Sequence, residues 1–111
     1  THAELMRQAA TLNLAYLHVM RAPQPDLDAF ALAHEHFGGQ LILNDGFGAD
    51  NAEATLHQHP GTALSFARHF IGNPDLVHRL RQGQPLARFD RKTLYTPGAE
   101  GYTSYTNFIA V

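Results

Sequence analysis

The chain has no cysteine and no tryptophan in its 111 residues, and its eight Lys and Arg are outnumbered by ten Asp and Glu. Without thiols there are no disulfides and no thiolate metal sites, so packing and hydrogen bonds must hold the fold. The small basic complement and the formal net charge of −2 argue against a general binder of nucleic acid or other polyanions. No apolar run approaches the length of a membrane span, and the first residues do not resemble a secretory leader, so a cytoplasmic domain is expected. Also missing are a nucleophile elbow, a Walker loop and a legible pair of catalytic carboxylates. What is present is an apolar fraction of 44%, ordinary for a globular chain. The length suits one domain at most and falls short of the ~250 residues of a complete (β/α)8 barrel.

Apolar spacing predicts a helix over Glu4 to Thr11, with Leu5, Met6, Ala9 and Leu12 on its buried side and no clear cap. Leu14 to Met20 then reads as a strand buried on both faces. After a rigid loop, Arg21-Ala22-Pro23-Gln24-Pro25, Asp26 is expected to cap a helix from Leu27 to about Phe37, stopped by Gly38-Gly39. Gln40 to Asn44 is the second strand and Asp45-Gly46-Phe47-Gly48 the loop after it. A helix from about Ala49 to His57 follows, with Ala49, Ala52 and Leu56 inward, and His59-Pro60-Gly61 ends it. Thr62 to Phe66 is the third strand. Asn73 is expected to cap a helix from Pro74, with Asp75 in its first turn and Leu76, Val77 and Leu80 as its apolar face. Arg79 and Arg81 favour its C-terminal end, and Gly83 can close it. The tail after Gln84-Pro85 is rich in Gly, Pro, Tyr and Thr and shows no period. Strands alternating with helices predict an α/β chain with parallel strands.

Two loops are candidates for chemistry. Gly46 and Gly48 permit close backbone approach after the second strand. Arg68 places a planar cation between the third strand and the next helix, where a phosphate is naturally held. The alternative is that Arg68 makes an ion pair and the glycines only turn the chain. His34 with His36, and His57 with His59, are spaced two apart, which suits a strand better than one helix face. No third ligand accompanies either pair, so no metal site is expected. His18, within a strand, reads as a satisfied core residue.

The run Phe70-Ile71-Gly72-Asn73-Pro74-Asp75-Leu76-Val77-His78-Arg79-Leu80 is followed by Gly83-Gln84-Pro85-Leu86, Asp90-Arg91, Thr93-Leu94-Tyr95 and Gly98-Ala99-Glu100-Gly101-Tyr102-Thr103. Together these closely resemble the C-terminal end of the old yellow enzyme family. Leu14-Ala15-Tyr16-Leu17-His18-Val19 resembles the sixth barrel strand of that family. The resemblance implies the last three βα units of a TIM barrel, strands six to eight, preceded by the end of helix five. It implies an FMN-dependent oxidoreductase that uses NAD(P)H to reduce activated alkenes, an ene-reductase. Asp45, Gly46, Phe47, Ala67, Arg68 and Phe70 would then surround the FMN phosphate, and Tyr95 would flank the substrate pocket. Asp45 and Ala67 stand where the family usually has glycine. The family's substrate-anchoring pair and proton-donating tyrosine lie on earlier strands, so no catalytic residue is assigned and the chain alone should be inactive. Three parallel strands cannot close a barrel, and both sheet edges need cover. Self-association or a missing N-terminal segment is therefore expected. The competing reading is a non-catalytic, self-associating half-barrel module with at most a weak phosphate site.

Overall fold

Three short apolar runs form parallel strands, β1 (Leu17–Met20), β2 (Leu41–Asn44) and β3 (Ala63–Ser65), in the spatial order β1-β2-β3. Leu17 pairs with Leu41 and Met20 with Asn44, while Ile42 pairs with Ala63 and Asn44 with Ser65. The computed structural model describes residues 1–21 and 26–107. They divide into two compact units, Thr1–Ser65 and Phe66–Val111.

In the first unit, α1 (His2–Ala9), α2 (Ala29–His36) and α3 (Ala49–Gln58) accompany the sheet. The sheet presents Val19, Leu41 and Leu43 on one face, and with Phe30 and Ala33 of α2 they are buried. Phe30, Ala33 and Leu43 are wholly inaccessible, and burying a side chain the size of Leu or Phe contributes about 1.5–3 kcal/mol. Alternation along each strand puts His18, Asn44 and Ser65 on the other face. There the Asn44 Nδ2 donates to the Ser65 carbonyl at 3.1 Å and to its Oγ at 2.9 Å. The His18 Nε2 lies 2.8 Å from the same Oγ. These polar rungs join all three strands.

The alternation of strand and helix is as expected, but several boundaries and faces differ. α1 does have a cap, because the Thr1 hydroxyl accepts from the Glu4 N–H. Its buried side is Met6 and Ala9, while Leu5 and Leu12 are exposed. β1 is shorter than the apolar run, with Leu14 and Tyr16 exposed and Val19 alone of its four residues buried. His18 and Met20, on its other face, are exposed, so it is not buried on both sides. His18 is accordingly an exposed strand residue with a hydroxyl partner, not a core histidine. The cap of α2 is Asp28, whose Oδ1 accepts from the Ala31 N–H at 3.1 Å, and not Asp26. On α3, Ala52 and Thr55 face inward, whereas Ala49 and Leu56 are exposed. The loop expected from Arg21 to Pro25 falls, over residues 22–25, outside the described residues.

The second unit contains α4 (Arg68–Gly72), α5 (Leu76–Gln82) and a 3₁₀ turn, η1 (Arg91–Thr93). Here the expected helix start is replaced. Asn73 is the C-cap of α4, and α5 begins after Asp75. The Asn73 side chain is fully buried, donating to the carbonyls of His69 and Ala87 and accepting from the Ala87 N–H at 2.6 Å. It fastens the tail to the turn between the two helices. Gly83 closes α5 in the left-handed region, φ 64°, as the sequence predicts. Leu76 is buried and Val77 exposed. Arg79 is also buried, paired with Asp75 at 2.8 Å and donating to the carbonyls of Pro85 and Thr106. It holds the tail instead of serving the helix end. Among the described residues, no helix is long and apolar enough to cross a membrane.

Candidate functional site

The loop from Asp45 to Gly48 leaves the end of β2 and enters α3 through Gly48, which occupies the cap position in an extended conformation. The N–H groups of Gly46, Phe47 and Gly48 are used within the loop and the first turn of the helix. The Gly46 N–H donates to the Asp45 Oδ1 at 2.7 Å. The Phe47 N–H donates to the Asp45 carbonyl at 2.7 Å, a tight three-residue turn. The Gly48 N–H donates to the Asn51 Oδ1 at 2.6 Å, the reaching-back half of a capping box. The Phe47 ring is buried, with its centroid 6.5 Å from that of Phe30.

Arg21, immediately after β1, completes this corner. Its Nη1 donates to the Asp45 Oδ2 at 2.9 Å, and its guanidinium carbon lies 4.1 Å above the centre of the Phe30 ring. With about two fifths of the Arg21 side chain and a third of the Asp45 side chain exposed, the ion pair is worth only about 0.2–1 kcal/mol. Its effect on geometry is larger, because it fixes which way the carboxylate turns. Both Asp45 oxygens are engaged, one by Gly46 and one by Arg21. A bound phosphate needs free N–H donors at such a loop. The loop as it stands does not fit a phosphate.

In the second unit, Ala67 and Arg68 open α4 and are both exposed, as is Phe70. Arg68 has no ion-pair partner among the described residues of its own unit, so the expected alternative of a structural salt bridge is not seen there. Tyr95, just after η1, is 94% exposed, and its ring is not used in packing. The Tyr105 hydroxyl does have a structural partner, accepting from the Asp90 N–H at 2.7 Å. Asp45, Gly46 and Phe47 therefore share one corner with Arg21 and Asn51, which the sequence reading missed. Arg21 carries no local signal, since its partner is 24 residues away. Asn51 was legible in principle, lying three residues after the cap position.

Beside this corner, the rings of His34 and His59 stack at 4.8 Å, and Phe30 meets His59 edge-on at 5.9 Å. Burial above all, then the neighbouring His34 and Arg21, hold the His59 pKa below its ordinary 6.5, and Asp28 opposes them. The unfolded chain thus binds this proton more readily than the folded one. Its contribution to stability is fully present above pH 6.5 and is lost as pH falls through and below that value. The urea midpoint should fall between pH 7 and pH 5, and less steeply in His59→Gln. An identical slope in the variant would rule His59 out as the source.

No family model matches the chain. Enoate reductase 1 of Kluyveromyces lactis is 43% identical over 119 residues, covering 96% of this chain and 30% of that protein. Flavin oxidoreductase hxnT of Emericella nidulans is 38% identical over 84 residues, covering 74% of this chain and 22% of that protein. Among solved structures, the old yellow enzyme from Trypanosoma cruzi superposes with a TM-score of 0.89 at 31% identity, covering 97% of this chain and 29% of that one. The chain spans less than a third of the length of each of these relatives.

Proposed function

Because the chain belongs to the old yellow enzyme family over the segment it spans, we propose that it serves in an FMN-dependent oxidoreductase that uses NAD(P)H to reduce activated alkenes. In this reading it supplies strands six, seven and eight of the barrel, and the helices between them. The observation that carries it is the agreement of sequence and backbone with the family along nearly the whole chain. When bound, the flavin supplies the hydride chemistry, and the protein supplies binding and orientation.

This chain's own contribution is to cofactor retention. Arg68, exposed at the start of α4, presents a fixed planar cation suited to phosphate oxygens. Tyr95, with its ring uncovered, has the phenol and apolar face that suit the edge of a substrate pocket. The 45–48 loop does not fit a phosphate in its present hydrogen bonding, so no step is assigned to it.

The test compares FMN with riboflavin, which lacks the phosphate, in the Asp45→Gly background, where the carboxylate is gone and the Gly46 N–H is freed. FMN should remain with the chain through gel filtration while riboflavin is lost. Arg68→Ala should then lower FMN affinity by about tenfold or more, the effect of removing one charged hydrogen-bonding partner. Equal retention of the two flavins, or an unchanged affinity in the Arg68 variant, would overturn the reading.

A further inference from the structure

The corner formed by Arg21, Asp45, Gly46 and Asn51 behaves like an anion site that already contains its anion. Two N–H groups of the loop point at side-chain oxygens of the same chain, from Gly46 to the Asp45 Oδ1 at 2.7 Å and from Gly48 to the Asn51 Oδ1 at 2.6 Å. Another, on Phe47, is spent on the Asp45 carbonyl. A carboxylate that accepts from a glycine amide through one oxygen and from a guanidinium through the other occupies the position of an anion held by the loop.

We infer that the Asp45 carboxylate, oriented by Arg21, takes the place of a bound phosphate in the 45–48 loop and closes the loop to external anions. The inference rests on the proposed flavin-binding reading and specifies why the 45–48 loop itself takes no phosphate. Three physical effects act together. The carboxylate competes directly for the Gly46 donor. Its charge repels an incoming phosphate at short range, and the repulsion grows as water is excluded. Arg21, which would otherwise attract that phosphate, is neutralised by the ion pair and held against Phe30. Arg21 is thus a positioning residue for Asp45.

The experiment follows the backbone amide signals of Gly46, Phe47 and Gly48 by NMR in the full 111-residue chain, during titration with inorganic phosphate and then FMN. The proteins compared are the wild type, Asp45→Gly and Asp45→Asn. The Asn variant keeps the shape and one acceptor oxygen while removing the charge, so it tests the idea even where Asp45→Gly perturbs the loop. Phosphate affinity should rise by about tenfold or more in Asp45→Gly, with Asp45→Asn between it and the wild type. The Gly46 amide should also exchange with solvent faster in Asp45→Gly before any anion is added. Wild-type affinity equal to that of both variants, or no response to phosphate in either variant, would overturn the inference. Should the variants bind phosphate but show no preference for FMN over riboflavin, the closed-loop inference stands and the flavin reading fails. Should the wild type retain FMN as tightly as Asp45→Gly, the inference fails and the flavin reading stands.

Discussion

Replacing Arg79 by Ala should destabilise the second unit by about 4 kcal/mol, because it leaves one member of a buried ion pair without its partner. The side chains of Arg79 and Asp75 are only 7% and 13% exposed. The Arg79 Nε donates to Asp75 at 2.8 Å, its Nη1 to the Pro85 carbonyl at 3.1 Å, and its Nη2 to the Thr106 carbonyl at 3.3 Å. One guanidinium therefore ties α5 to two points of a tail that has little regular structure of its own. Truncation removes these ties together and takes the guanidinium away from the Asp75 carboxylate in a place with little water. The double variant Asp75→Leu/Arg79→Met should recover much of the loss, since a well-filled apolar pair is often no worse than a buried salt bridge. Urea unfolding of the full chain measures both. A loss below about 1 kcal/mol in Arg79→Ala would place the pair among weak surface bridges.

Phe30→Ala should cost the first unit about 3–5 kcal/mol, the usual range for emptying a buried aromatic site. The ring is wholly inaccessible and touches three parts of the candidate site at once, lying close to Phe47, His59 and the Arg21 guanidinium. Its removal should therefore do more than lower stability. Arg21 loses the surface it rests on, and the Asp45 carboxylate loses its fixed partner. Amide exchange at Gly46 should accelerate by more than the change in global stability explains. Phe30→Leu, which refills most of the volume but not the aromatic face, should restore stability further than it restores Gly46 protection. If stability and protection return together in Phe30→Leu, the ring acts on the loop through volume alone.

What the sequence disclosed was mostly short-range. The alternation of apolar runs with capped helices located β1, β2 and β3 and the helices between them, because these depend on neighbouring residues. Gly83 was legible for the same reason, as a left-handed residue is required where α5 stops. Faces were less legible. Leu5, Leu12 and Leu56 have the right spacing for burial, yet burial depends on what lies opposite, and they are exposed. Asn-Pro-Asp is a common helix start, so the sequence alone makes Asn73 a cap. In the structure its side chain instead serves Ala87, 14 residues on. The position of Arg79 suits the helix end, while two of its acceptors are tail carbonyls. The candidate site shows the same division. Asp45, Gly46 and Phe47 stood out locally, whereas Arg21 became visible only through contact across two strands.

The polar rungs across the sheet also differ in how much of the chain each one needs. Arg21 and Asp45, at the ends of β1 and β2, are 24 residues apart, and Asn44 and Ser65 are separated by 21. Each strand pair can therefore form once one βα unit has left the ribosome, every few seconds at ~5–20 residues per second. His18 and Ser65 are 47 residues apart, and their bond needs both pairings in register. That bond requires all three strands in place, so His18 ring signals should change when either pairing is lost.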